Sequence, residues 1–274
     1  MYYRGFMDMD NRAQQPVMGS RGLLTLVLVA AFAWSLLSVP WGAGLFHPGG
    51  LQSFSQMVQG FLQPDLSWEI VRIGLTSGWQ TLAYATAGMT VALLIALPLG
   101  VLASGVLFRN RWIRLIIMPA MRSILGFLRA IHELVWAWLF VAAIGLSPYA
   151  AILALGLPYG GILGRIFADF LNDVPAAPLT ALRNSGASEA QVFFYGRLPM
   201  AMADMLSYTM YRFECAVRSA AILSFVGLGG LGHQIQISLE DLRYNEVATF
   251  LFFLISMVIA IDLWSNAVRR RLVA

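Results

Sequence analysis

The chain has 274 residues, of which 59% are hydrophobic and 12% charged, whereas a soluble domain mixes about 45–50% apolar with about 25% charged residues; a water-soluble globule is excluded. All 18 basic residues are Arg, and without Lys the polypeptide has no Walker A phosphate loop, no Schiff-base lysine and no lysine general base. Cys215 is the single cysteine, His47, His132 and His233 stand alone rather than at zinc-site spacing, and the net charge of +4 in so apolar a chain marks cytoplasmic loops rather than a nucleic-acid surface.

Hydrophobic runs of about 20 residues, enough to cross a hydrocarbon core about 30 Å thick, organise the chain. Six are predicted. The first covers residues 23–41, with Arg21 before it, and reads as a retained helix rather than a cleaved leader because no small-x-small site follows. Pro48, Gly49, Gly50 and Pro64 break up the next stretch, where Leu51 to Leu62 fits a short amphipathic helix at the membrane surface. The second span is placed at 78–104, followed by a loop with Arg109, Arg111 and Arg114. The third is placed at 127–145, since residues before it carry Arg122. The turn Gly145 to Tyr149 leads into a fourth span at 150–170, interrupted by Gly156, Pro158, Gly160 and Gly161. A fifth follows at 203–226 and a sixth at 247–267, and the chain closes on Arg269, Arg270 and Arg271.

Basic loops stay on the cytoplasmic side. An inside N-terminus puts Arg4, Arg12, Arg21, Arg109, Arg111, Arg114, Arg122, Arg183, Arg197 and Arg269 to Arg271 in the cytoplasm and leaves Arg72 and Arg243 outside. An even number of spans also places both termini inside. The expected fold is all-α and polytopic, with residues 1–74 as a tail, first helix and periplasmic segment, and residues 75–274 as the core.

Residues 171–199 form the longest polar stretch. Pro178 suits a first helical turn, Leu179 to Ser185 form a short helix that Gly186 ends, and Ser188 with Gln191 three residues on fits a capping box opening a second helix. Val192, Phe193, Phe194 and Tyr195 are expected to expose an apolar face, which in a cytoplasmic hairpin is a protein contact.

The spacing Thr180, Ala181, Leu182, three residues, Gly186, eleven residues, Leu198, Pro199 resembles the EAA coupling loop of ABC importer permeases, E-A-A-x3-G-x9-I-x-L-P. Thr180 replaces the acid, Leu182 the second alanine and Gly196 the apolar residue before x-L-P. Tyr211 to Ala220 with Gly227 to Gly232 resembles the YRFE-x-x-VRAA...VG-x-GGIG signature of the phosphonate-type group, and Leu128 to Ala137 resembles its LRSIPELVWA segment. The resemblance spans about residues 75–268. It implies a non-catalytic permease subunit for a small phosphorus oxyanion. It also implies two partner ATPases that bind ATP and Mg, a periplasmic or lipid-anchored binding protein, and a second permease copy, identical or closely related. It assigns ATPase coupling to Thr180, Ala181, Leu182, Gly186, Ala187, Ser188, Leu198 and Pro199.

Arg212, Glu214 and Arg218 fall within the fifth predicted span, where each charge costs about 2.5–3.5 kcal/mol near a helix centre. Glu214 and Arg218 are four apart with the acid first, which predicts a pair on one face; Arg212 points about 160° away from Glu214. Two readings stand: these charges lock the bundle, or a guanidinium, Arg218 foremost, faces a polar path and attracts an anion. His132 and Glu133, adjacent and pointing about 100° apart, fit orientation or gating better than acid–base chemistry. Gly227, Gly229 and Gly232 match G-x-G-x-x-G, but after a membrane helix they form a turn, not a dinucleotide site. The competing classes are an ion-coupled carrier using Glu133 and Glu214, and a membrane enzyme acting on a lipid phosphate.

Overall fold

The computed structural model describes residues 18–39, 41, 49–108 and 110–273, and every regular element among them is helical. Arg4, Arg12 and Arg109, three of the arginines expected on the cytoplasmic side, lie outside the described residues. Contacts divide the chain into two units, one ending at Phe54 and one beginning at Ser55. The first unit carries α1 (Met18–Ser38), whose apolar stretch Gly22–Ser38 exposes Leu23, Leu26, Phe32 and Trp34 on every face. The predicted surface helix is α2 (Gly50–Leu62), which crosses the boundary.

The second unit continues with α3 (Trp68–Ser104), α4 (Arg111–Ala130), α5 (Glu133–Ile144) and α6 (Pro148–Asp173), then α7 (Ala176–Asn184), α8 (Glu189–Val192), a π-turn Phe193–Arg197 and α9 (Leu198–Leu223). A 3₁₀ turn Ser224–Val226 precedes α10 (Leu231–Glu240) and α11 (Tyr244–Val273). The second, fourth and sixth predicted runs lie wholly on helix, the fifth passes from α9 into the 3₁₀ turn, the first is helical to Ser38, and the third is split between α4 and α5. Among the described residues α3, α6 and α11 are long and apolar enough to span alone, and two further spans are bent pairs: α4 with α5, at 85°, and the helix running from α8 through α9 with α10, at 41°.

Several boundaries differ from those expected: the first helix ends at Ser38 rather than 41, and the fifth span, placed at 203–226, continues through the bend into α10. The second span starts at Trp68 rather than 78, because Asp65 accepts from the Ser67 N–H at 2.8 Å and Glu69 sits in the first turn, where the helix dipole favours an acid. The third is not one helix over 127–145. Residues 127–130 end α4, and His132 caps α5, its Nδ1 accepting from the Leu134 N–H at 3.3 Å. Trp136 Nε1 donates back to the Leu128 carbonyl at 3.3 Å, satisfying one acceptor that the end of α4 leaves open. The bend is therefore capped on both sides.

The centre of the unit is the α3–α6 pair, joined through small residues. Gly88, Ala92, Ala96 and Gly100 on α3 face Gly156, Gly160 and Gly164 on α6 at four-residue spacing, one stripe on each helix. A Cβ on Gly100 would sit 2.9 Å from the Gly164 carbonyl oxygen, and one on Gly160 would sit 3.0 Å from Ile95 Cβ. The glycines that look like interruptions of the fourth span are thus its packing face, and Pro158 is accommodated within α6. Gly161 brings α4 equally close, with a hypothetical Cβ 2.7 Å from the Leu125 carbonyl oxygen. After α9, Gly230 takes φ of +96° and passes so close to Thr81 and Ser224 that no side chain fits; the Leu231 N–H donates to Thr81 Oγ1 at 3.0 Å. The glycine cluster is a turn locked onto α3.

Candidate functional site

The hairpin forms as a helix, a turn and a helix. α7 ends at Asn184, Gly186 adopts φ of +89°, and the Ala187 N–H closes on the Leu182 carbonyl at 3.1 Å. Both bonds of the capping box are present: Gln191 N–H to Ser188 Oγ at 3.3 Å and Ser188 N–H to Gln191 Oε1 at 2.8 Å. Arg183 adds a contact between the arms that no local motif discloses: its Nε and Nη2 each reach a Glu189 oxygen at 3.0 Å, clamping the two arms together. This hydrogen bonding raises the Arg183 pKa above its ordinary value, so the guanidinium stays charged.

The expected apolar face is half wrong. Phe194 and Tyr195 are exposed, at 61% and 78%, but Val192 and Phe193 are buried. The helix carries them on its inner side, Val192 at 1% exposure. The two departures from the coupling-loop pattern fit each other. A Cβ on Gly196 would lie 2.8 Å from Leu182 Cδ1 and 3.0 Å from Leu179 Cδ2, so the larger residue at 182 occupies the space that the missing side chain at 196 vacates. Thr180 donates its hydroxyl to the Ala176 carbonyl at 2.9 Å and stays within its own helix. Ala181, Leu182 and Pro199, with Pro178, Tyr195, Gly196 and Met200, line an apolar cavity of about 630 Å³ beside the hairpin. Pro199 has no N–H to offer the carbonyl four residues back, and the chain answers with the π-turn, where the Leu198 N–H reaches the Phe193 carbonyl. Helical structure then runs unbroken from Glu189 to Val226, so the hairpin and the polar part of α9 are one rod.

On that rod the predicted Glu214–Arg218 pair does not form. Glu214, buried, takes Arg269 of α11 at 2.9 Å instead, and Arg269 also donates to Asn266 Oδ1 at 2.7 Å. Spacing along α9 permits the pair, but Glu214 points towards α11 while Arg218 is exposed and meets Cys215 Sγ at 3.6 Å. Arg212 donates to the Tyr208 hydroxyl through Nε at 2.8 Å and Nη2 at 2.6 Å, and lies over the Tyr208 and Tyr211 rings. Tyr211, Cys215, Arg218 and Ile222 recur every three or four residues and so share one side of α9, the side that leaves Tyr211, Arg218 and Ile222 exposed.

Next to it runs a polar chain that the sequence did not disclose. Ser219 donates to Glu133 Oε1 at 2.7 Å, and Tyr159, 3.0 Å from Ser219 Oγ, must then be the donor to it. Glu133 is thereby held from α9 and α6 at the first turn of α5. His132 Nε2 lies 3.7 Å from Glu133 Oε2, so the two do approach despite the angle between their directions, although the His132 side chain is 64% exposed and its other nitrogen is committed to the cap. Among the described residues no three His, Cys, Asp or Glu side chains could share a metal ion.

The described residues thus form a helical bundle in which a stiff hairpin is continuous with a polar helix. Residues 96–274 match the family of binding-protein-dependent transport system inner membrane components, and the chain belongs to that family. HtxC of Stutzerimonas stutzeri, named for phosphite transport, is 34% identical over 247 residues, covering 90% of this chain and 83% of that protein. The phosphite transport system permease protein PtxC of the same organism is 31% identical, over 84% and 83% respectively. The phosphate-import permease protein PhnE of Mycolicibacterium smegmatis is 30% identical over 87% of this chain and 43% of its own length. In fold, the chain is similar to the inward-facing MetNI methionine ABC transporter, with a TM-score of 0.65 at 21% identity over 76% of this chain and 99% of that one. The chain is a non-catalytic permease subunit of an ABC importer in the inner membrane, a family whose members work with an ATPase, a binding protein and a second permease.

Proposed function

We propose that this permease carries a small phosphorus oxyanion: phosphonate, phosphite, hypophosphite or phosphate. The observation that carries the reading is similarity at 34% and 31% identity to two permeases named for phosphite transport, over more than four-fifths of each chain. The polar side of α9 agrees with it. Arg218 is exposed there and has no carboxylate partner among the described residues, and a guanidinium fork suits tetrahedral oxyanions. Glu214, in contrast, is neutralised by Arg269 and belongs to the locking of α9 to α11. Arg218 thus takes the cargo role, Arg212 orients the tyrosines beside it, and Ser219, Glu133 and Tyr159 form the neighbouring polar wall. A second copy of the chain, or a close relative, would close the path.

Work enters through the hairpin. Two partner ATPases, holding ATP and Mg, would grip residues 178–196 at the apolar cavity and at exposed Phe194 and Tyr195. The Arg183–Glu189 clamp and the capping box keep the hairpin from absorbing the stroke, and the unbroken helix passes it to Arg212 and Arg218. A binding protein delivers cargo at the other face. The hairpin and both termini are assigned to the cytoplasm. The contact of Glu214 with Arg269, near the end of α11, supports hairpin and C-terminus lying on one side.

Vesicles holding the permease with its ATPase should take up labelled phosphite only with ATP and should be inhibited by vanadate. Arg218→Gln should abolish uptake while the complex still assembles. Wild-type uptake in that variant would remove the cargo role from Arg218. Uptake that stops when an ion gradient is collapsed with ATP intact would favour a coupled carrier, and phosphate release from a lipid by the purified chain would favour an enzyme.

A further inference from the structure

Two adjoining cavities open where α4 starts. The first, about 290 Å³, is lined by Gly105, Phe108, Arg114 and Asn172 together with Arg183, Glu189 and Arg197 of the hairpin region. Three guanidiniums therefore face one carboxylate, and that carboxylate is already committed to Arg183 through both oxygens. Arg197 spends one terminal nitrogen on the Leu171 carbonyl, and its charge is repelled by Arg183 and Arg114 and attracted by Glu189. Arg114 crosses Gly105, where a Cβ would come within 3.2 Å of its Nε, and no ion pair is formed by it among the described residues. The cavity thus holds an excess of positive charge and several unused N–H donors.

The second cavity, about 470 Å³, shares Arg114 and runs along α4 between Arg111, Leu115, Met118, Pro119 and Arg122. Its walls are mostly apolar, with guanidiniums at the rim. Arg122 is tied by its Nε to the Ala103 carbonyl at 3.1 Å. Around it α4 exposes Trp112, Leu115 and Ile116, at 74%, 55% and 69%. Tryptophan beside Arg at the start of an apolar helix marks the headgroup level of a bilayer.

We propose that these two cavities form one site for an anionic phospholipid, its phosphate between Arg114 and Arg197 and an acyl chain along the apolar groove of α4. The complementarity is double: net positive charge where a headgroup would sit and, across the shared Arg114, an apolar trough where a chain would lie. Basic pockets beside membrane helices on the cytoplasmic side recognise such headgroups. Bound there, the lipid bridges the α3–α4 loop to the hairpin and braces the element that receives the stroke. The cytoplasmic placement rests on the reading given above.

The test uses the permease–ATPase complex in nanodiscs of phosphatidylcholine with or without phosphatidylglycerol. Phosphatidylglycerol should be retained through purification and raise the melting temperature of the complex, and both effects should weaken with ionic strength. Arg111→Gln with Arg114→Gln should reduce retention about 25-fold, at about fivefold per guanidinium. Arg114→Lys, which keeps the charge, should retain most of it. The unliganded melting temperature in phosphatidylcholine should be unchanged by these exposed substitutions, which separates lost binding from misfolding. Arg218→Gln should leave retention intact, so failure of the cargo assignment and failure of the lipid site are read separately. Equal retention in the double variant would overturn the proposal, as would equal stabilisation by inorganic phosphate in phosphatidylcholine alone.

Discussion

Glu214 and Arg269 meet across 55 positions of sequence, and their 2.9 Å contact decides which charges of α9 are structural. A carboxylate at 10% side-chain exposure and a guanidinium at 26% each need the other, because an unpaired charged group in such surroundings costs about 1–3 kcal/mol or more. Glu214→Gln should therefore destabilise the purified permease by that amount in thermal or denaturant unfolding. Arg218→Gln, at an exposed position, should stay within about 0.5 kcal/mol of wild type while losing transport. The reverse order of stabilities would refute the division of roles. Arg212 is legible as a charge in the sequence, but its tyrosine partners are not, since Tyr208 and Tyr211 look like ordinary apolar lining until the rings are seen under the guanidinium.

The hairpin is an element whose local design follows from its own residues. Gly186, Ser188 and Gln191 act on neighbours within four positions, so capping chemistry alone places the turn and the second helix. Burial is different, because Val192 and Phe193 face inward only once the rod is docked. The complementarity of Leu182 and Gly196 yields a prediction at this scale. Gly196→Ile alone should force Leu182 and Leu179 aside and destabilise the hairpin, and Leu182→Ala alone, at a half-buried position, should cost less than the about 2–5 kcal/mol of a fully buried leucine. The double variant should recover much of both losses, with a coupling energy of about 1–3 kcal/mol, read from ATPase co-purification and unfolding. Additive losses would show that the two positions do not compensate.

The whole unit depends on α3 and α6 approaching backbone to backbone. Gly100→Ala should cost about 1–3 kcal/mol, because its Cβ meets a main-chain oxygen that no side-chain rotation can move. Gly126→Ala provides the matched control. Nothing lies within 4 Å of a Cβ there, and replacing glycine within a helix gains about 0.5–1 kcal/mol. The yield of monodisperse protein in detergent should fall for the first and hold or rise for the second. Equal behaviour would mean that the glycine stripe does not set the packing distance.

Helical class and the hairpin turn were determined by the sequence itself, because hydrophobic length and capping are local properties that each stretch carries with it; the described residues hold three helices long enough to span alone and two bent pairs, besides the shorter apolar helix Gly22–Ser38. The family resemblance was legible for the same reason, in motifs whose spacing survives without coordinates. Tertiary structure alone decided three things. It bent the third span between Ala130 and Glu133 through the Trp136–Leu128 bond, it turned the glycines of α6 from apparent breaks into a contact face, and it gave Glu214 to Arg269 rather than to Arg218. Each depends on a partner from a distant segment, and a pattern within one helix cannot state which neighbour its face will meet.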